Sequence, residues 1–443
     1  MKKFISLVLA LTVMAVMFTG CGEQKTANKD EDKKVVESKD KEEGKKEDNK
    51  EEKIKLVFAT NETPILTKEF WKIPSEKFMK ENPNITIENI AQPSSNIMMR
   101  DFLKTQLATG EFPDVMVMGS PKDFVVADAL LEFNESDLDY TNNPTVGKID
   151  GKSYTVPYKK MVGGIWYNKN MFKEQGLTEP KTYEEFVNLC KKLEGKDITP
   201  ISMGLKDGWP QLVFASCILS ADLLTENPAW GLQRNKGETD FSSPEFKKSI
   251  EKYADLVRNY TNEDMASVSY AQMLELFFSQ KAAMIPMGSW LIGEEQRVKP
   301  DFEVGFFPIP SDDNADSVAV WVNEGLAINK NTKHPEEAKQ FVKFFMTDKE
   351  WYGEFLKTEM LFPTTKEDVP YEMSPLRKEI GNRIGNWNEV EHWYDMTGDA
   401  ALLPGLQTYF NKMTQNIAMG ADIDKELELF NQEWKMANDN LNQ

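Results

Sequence analysis

The stretch Tyr154–Gly176, YTVPYKKMVGGIWYNKNMFKEQG, decides how this chain is built. Tyr154–Tyr158 reads as a strand and leads through Lys159-Lys160 to Gly163-Gly164, a tight glycine passage. Ile165-Trp166-Tyr167 is an apolar, aromatic strand, and Asn168 precedes the amphipathic run Lys169–Gln175. Gly176 stands where a short helix needs a left-handed residue at its end. Strand, glycine passage, strand and helix is how a chain leaves one α/β lobe and starts another. Trp166, in mid-strand among apolar neighbours, is expected in the core.

Upstream, Ile54–Thr60 predicts a first strand, broken by Asn61-Glu62-Thr63-Pro64. A helix through Phe78 would bury Phe70, Ile73 and Phe78, and Ile85–Ile90 is a second strand. Met98–Leu107 has helical apolar spacing, and Val115–Met118 is a short buried strand. This β-α-β-α-β order implies parallel strands and an α/β lobe.

Downstream, Thr182–Leu193 predicts a helix, with Thr182 and Glu185 spaced as a capping box. Thr199–Gly204 and Ala282–Met287 read as strands, and Trp209–Leu224, Ser243–Arg258 and Ser269–Gln280 as helices. Phe302–Pro308 is expected to carry the chain back to the first lobe, where Glu324–Ile328 is a strand and Pro335–Met346 a helix. The residues from about Leu361 read as helical. The expected architecture is therefore two α/β lobes, 54–160 with 311–361 and 161–310 with 362–443, which suits a length of 443 residues.

Met1–Gly20 has a basic start (Lys2, Lys3) and an apolar run Phe4–Met17, the pattern of a secretory signal. Cys21 follows Gly20 as in a lipoprotein signal, although Phe18 stands where Leu is usual; an ordinary cleaved signal is the alternative. Residues 21–53 then read as a lipidated Cys and a charged, disordered tether, too poor in apolar residues to fold. From Gly22 to Lys53 the twelve acidic and ten basic residues almost cancel, so the net charge of −19 belongs to the folded body. A body this acidic does not suit nucleic acid, and no such partner is expected. A monomer is expected.

Catalytic signatures are sparse. The only histidines are His334, before a helix-opening Pro335, and His392, in a Trp- and Tyr-rich loop. Cys190 and Cys217 lie in apolar runs and read as small core residues, a disulfide between them being the less favoured alternative. No phosphate-cradling glycine loop or metal-binding His/Glu helix is present, so no cofactor or metal is expected. A glycoside hydrolase remains an alternative, because carboxylates beside Trp also describe that chemistry.

Polar and aromatic residues do collect just beyond strand ends, where open α/β sheets place ligands. Asn61 and Glu62 follow the first strand, and Ser120 follows the Pro113-Asp114-Val115 strand. Lys206, Asp207 and Trp209 follow Ile201–Gly204, and Trp290 follows Ala282–Met287 through Gly288-Ser289. Trp321, Asn323 and Glu324 enter the last strand of the first lobe, and Trp387 is a candidate for the rim. Aromatic faces pack on the C–H face of a sugar ring, and amides and carboxylates bond its hydroxyls.

Several phrases resemble the bacterial extracellular solute-binding proteins that serve ABC sugar importers. Trp166-Tyr167-Asn168-Lys169, Phe172 and Gly176-Leu177 run into Pro180 and Thr182-Tyr183-Glu184-Glu185-Phe186, as in that family. Leu107, Gly110 and Pro113-Asp114-Val115 are similar to another of its phrases. The resemblance implies a two-lobed periplasmic-binding-protein-like fold without enzymatic activity. It implies a carbohydrate, expected to be an oligosaccharide, held between lobes that close through hinges near Lys160, Pro308–Pro310 and Phe362. It also implies ABC permease subunits as partners and, with the Cys21 signal, a lipid anchor at the extracellular face of the cell membrane. A non-transport surface receptor is the further alternative.

Overall fold

Strand β1 (Ile54–Glu62) lies between two parallel neighbours, β2 (Ile85–Pro93) and β3 (Val115–Met118). The computed structural model describes residues 53–441 apart from 63–65, 94–95, 120, 143–146, 197, 314–315, 323 and 404. β10 (Gly325–Ile328) runs antiparallel to β3 and pairs on its other side with β4 (Val156–Pro157), giving the sheet order β2-β1-β3-β10-β4. Alternation sends Leu56, Phe58, Val115 and Val117 to one apolar cluster and Ala59, Met116 and Met118 to another. Both faces of this sheet are therefore buried, which explains the unbroken VMVM run. Asp114 ties the sheet together: its carboxylate accepts from Val57 N at 2.8 Å and from the Thr332 hydroxyl at 2.5 Å.

Helix Lys68–Glu81 starts at Thr67, whose hydroxyl accepts from Phe70 N. Its inner stripe is Trp71, Pro74, Ser75 and Phe78, so Ile73, expected inside, is 39% exposed. Trp71 decides the rotation, because its indole N–H donates to Asn61 O at 2.8 Å. The strand expected over Tyr154–Tyr158 shrinks to the two residues of β4.

The second sheet has the order β11-β9-β5-β7-β6, with β8 also on β5. Its strands are β5 (Met161–Asn168), β6 (Thr199–Ile201), β7 (Ala282–Gly288), β8 (Val304–Phe307), β9 (Ser317–Trp321) and β11 (Asn388–Glu391). β5 is continuous, so Gly163-Gly164 is not a turn. A Cβ on Gly163 would stand 2.6 Å from the Trp321 ring, and one on Gly164 would stand 2.7 Å from Phe307 O. These glycines serve close packing across a strand rather than a bend.

Two further expectations change. β8 and β9 both pair with β5, so the chain returns to the first sheet between Trp321 and Gly325 and not at Pro308–Pro310. Ser317–Trp321, expected in the first lobe, thus belongs to the second sheet; a short apolar strand carries no mark of which sheet will accept it. The region beyond Leu361 holds β11 besides its helices, and β11 (NEVE) is too short and polar to betray itself. Thr182 does cap its helix, accepting from Glu185 N at 3.2 Å. The Glu185 carboxylate, however, turns to Lys181 N, so the capping box is not closed.

Candidate functional site

The strand register puts the ends of both sheets against the segments that join them. In the first sheet Gly325 pairs with Met118, so Glu324 and Gly119 share an edge with the β1 end at Asn61 and Glu62. In the second sheet Met161 pairs with Trp321 and Gly163 with Gly288, which aligns the ends of β7 and β9 with the start of β5. The chain crosses from Pro157 to Met161 and from Trp321 to Gly325. Each crossing spans at most roughly 14 Å, so the edges adjoin there. At a third crossing Lys160 and Phe362 exchange both backbone hydrogen bonds, at 3.0 and 2.9 Å.

On the edge of the second sheet stands a row of rings: Tyr270, Trp209, Trp290, Trp321 and His392. Successive centroids are 4.8, 6.0, 5.5 and 3.9 Å apart. Tyr270, Trp209 and Trp290 are half-buried, each offering part of its surface to solvent. Trp321 is 5% exposed and His392 1%, so they back the row rather than face outward.

The sequence places the three outer rings by one device, the start of a helix. Trp209 immediately precedes helix Pro210–Leu219, Trp290 precedes Leu291–Val298, and Tyr270 opens Tyr270–Phe278. Gly208, at φ +73°, makes the turn that brings Trp209 to its helix. Gly288 acts through space rather than through a left-handed φ: a Cβ there would lie 1.9 Å from the Trp290 ring, which folds back over it. Asp207 locks two of the loops together, its carboxylate accepting from Tyr270 N at 2.6 Å. Burial, with the nearby Glu294, pushes the Tyr270 hydroxyl pKa upward and keeps it neutral; the oxygen itself is buried, so the residue offers its ring face and not its hydroxyl. Three helix N-termini close together also bring partial positive charge there.

The first-lobe edge is polar and already internally bonded. The Glu324 carboxylate accepts from the Tyr158 hydroxyl at 2.7 Å and lies 2.8 Å from Lys159 Nζ. Both side chains of that ion pair are 11% exposed. Burial pushes the carboxyl of Glu359 upward, with Lys159 pulling it down and Glu324 adding to the rise. Lys160 pairs with Glu389 of β11 across the crossing.

Of the residues expected at the site, Trp209, Trp290 and Trp321 are brought together in the second lobe. Lys206 and Asp207 are exposed beside them, while Asn61, Glu62 and Glu324 sit at the first-lobe edge. Trp387 is outside the row, packed on Phe306 and under the Arg383 guanidinium. Trp393 is fully buried against Phe246 and Phe410. Trp166 is fully buried too, its indole N–H donating to Met287 O. Ser120, Asn323 and Cys21 lie outside the described residues. Tyr270 was missed, although Ser269 and Gln272 spell a capping box that places it at a helix start. Asp395 was missed as well, and nothing in its local sequence announces it. Among the described residues no group of three or more His, Cys, Asp or Glu side chains is placed to hold a metal ion, and no helix is long and apolar enough to cross a membrane.

Two α/β sheets joined by short crossings, with an aromatic row on the adjoining edge, define a two-lobed ligand-binding protein of the periplasmic-binding-protein type. The profile of the bacterial extracellular solute-binding proteins matches residues 59–350, and the chain belongs to that family, one of binding rather than catalytic proteins. It is similar to a multiple sugar-binding protein of Streptococcus mutans, 28% identical over 83% of this chain and 93% of that one. It is also similar to the melibiose/raffinose/stachyose-binding protein MelE of Bacillus subtilis, at 22% identity over 66% and 70%. In fold it matches the apo form of RafE from Streptococcus pneumoniae, with a TM-score of 0.73, 21% identity, and coverage of 87% and 98%.

Proposed function

We propose that this protein is the external substrate-binding subunit of an ABC importer and takes an oligosaccharide between its lobes. The observation that carries the reading is the row of half-buried rings, Tyr270, Trp209 and Trp290, at helix starts on the second-lobe edge. A row about three rings long suits several sugar units, and sugars are what its relatives in Streptococcus mutans and Bacillus subtilis are named for. Trp209, Trp290 and Tyr270 form the platform, with Trp321 as its support. Asn61, Glu62, Lys206, Asp207 and Glu324 supply polar groups at the rim, together with Ser120 and Asn323, and Trp387 borders it. The lobes are 54–160 with 322–361 and 161–321 with 362–443. They close by rotation at the crossings, and the ligand favours the closed state.

The protein acts as a monomer without cofactor, releases its sugar unchanged to permease subunits, and is held at the outer face of the membrane by a lipid on Cys21 after signal cleavage. Thermal-shift screening against raffinose, stachyose and xylo- and chito-oligosaccharides tests the ligand class, because binding to the native state raises its melting temperature. X-ray scattering at saturating ligand should then show a smaller radius of gyration. If no sugar in the panel shifts the melting temperature, the carbohydrate reading is wrong. Reducing ends appearing during incubation would favour a hydrolase instead. Retention of a Cys21→Ser variant in the membrane fraction would rule out Cys21 as the anchor.

A further inference from the structure

We propose that Asp395 is a positioning residue that holds the aromatic platform in its binding geometry, acting through Trp321. The proposal rests on the oligosaccharide reading of the same edge. β11 runs parallel to β9, with Glu391 opposite Val320, and His392 N donates to Val320 O at 2.8 Å. The chain after β11 is thereby delivered to Trp321, the last residue of β9. It turns in the short 3-10 helix Trp393–Asp395, closed by Asp395 N donating to His392 O at 2.9 Å.

That turn points one carboxylate oxygen at two rings. Asp395 Oδ2 accepts from Trp321 Nε1 at 2.6 Å and stands 2.9 Å from His392 Nδ1. The His392 ring stacks on Trp321 at 3.9 Å and 28°. Gly163 closes in on the far part of the Trp321 ring, leaving no room for a Cβ. Besides His392, Trp321 meets the Trp290 ring of the row, at 5.5 Å and 64°.

Trp321 ends its strand and begins the crossing to β10, so its backbone lies where lobe rotation is absorbed. A ring at such a place is held by side-chain contacts more than by the strand. Packing against Gly163 and His392 limits its tilt, whereas a bond to Nε1 fixes rotation within its own plane. Asp395 supplies that bond. Trp290 rests against the fixed ring, and the exposed part of Trp290 inherits the orientation. Asp395 itself does not belong to the exposed platform.

The experiment compares wild type, D395A, D395N, W321F and the double variant W321F/D395A by raffinose calorimetry, thermal melting and near-UV circular dichroism of the ligand-free proteins. D395N keeps an oxygen to accept the indole N–H. It should stay within about threefold of wild-type affinity with a wild-type near-UV spectrum, whereas D395A loses about tenfold and changes the spectrum. In a W321F background D395A should add little further loss, because the bond it removes is already gone. Wild-type affinity and an unchanged near-UV spectrum in D395A would overturn the proposal. If wild type itself takes no raffinose, the functional reading has failed for that sugar. The ligand-free spectra then decide alone: a shift in D395A restored in D395N upholds the positioning role, and no shift overturns it. If D395A does not fold, W321F decides: a folded protein with about tenfold weaker binding upholds the role, and full affinity overturns it.

Discussion

Each lobe has its own aromatic cluster, and the two are used differently. In the first lobe Phe58, Trp71, Phe345, Trp351 and Phe355 pack on one another and are each at most 1% exposed. In the second lobe Tyr270, Trp209 and Trp290 touch in the same way but remain half-open. Residue type does not separate them. Phe58 lies within β1, and Trp71, Phe345, Trp351 and Phe355 lie on the buried sides of helices. The second-lobe rings sit at helix starts, beyond the cover of the sheet. In these two clusters the rings inside elements are enclosed by the next layer, whereas the three at helix starts keep one side uncovered.

Trp71→Ala puts the contrast to its hardest test. It empties a closed cluster and should cost about 3–5 kcal/mol of stability, read by denaturant unfolding, while the sugar affinity of the folded fraction stays at the wild-type value. A native melting temperature in this variant would mean that the first-lobe cluster is not the core its burial describes.

Trp290→Ala should do the reverse. Sugar affinity falls by about 1–3 kcal/mol, by analogy with other ring-stacked ligands. The ligand-free melting temperature should move little. Calorimetry and melting on the same sample check both halves, and full affinity with a collapsed melting temperature would erase the distinction between the two clusters.

Tyr270→Phe sharpens the comparison at the level of one atom. The ring stays on Trp209 and only the hydroxyl, buried beside the Trp290 side chain, is lost, so affinity should drop by about 0.5–1.5 kcal/mol through a looser Trp290, with unchanged stability. Equal affinity would mean that Tyr270 contributes only its face.

The smallest effect concerns charge at the second-lobe edge. Burial raises the Glu391 carboxyl above its ordinary 4.5, against the lowering effect of its hydrogen bonds from the Thr397 hydroxyl and N–H. A raised carboxyl contributes stability below its unfolded value and loses that contribution as pH rises through its folded value. Glu391→Gln should therefore melt like wild type near pH 4 and about 2 °C higher above the raised value, in a melting series from pH 4 to 8. A difference that is constant with pH would show that the Glu391 charge is not what the fold resists.

Much of this architecture could be read from local pattern. Val115–Met118, Ala282–Met287 and the helix before Gly176 stand where periodicity and breakers put them, because burial on a face and the limits on φ act over a few residues. The prominence of Trp209 and Trp290 was legible for the same reason: each follows a strand and precedes a helix start. Partnership was not legible. That β9 joins β5, that Gly163 yields space to Trp321, and that Asp395 answers the Trp321 indole all depend on residues 74 to 160 positions apart, with no local trace. The sequence by itself determined the elements and the strand ends that a ligand could reach. Only tertiary structure decided which rings stay open at that edge and which stand behind them, because the free energy of a side chain's surroundings depends on neighbours brought together by the whole fold.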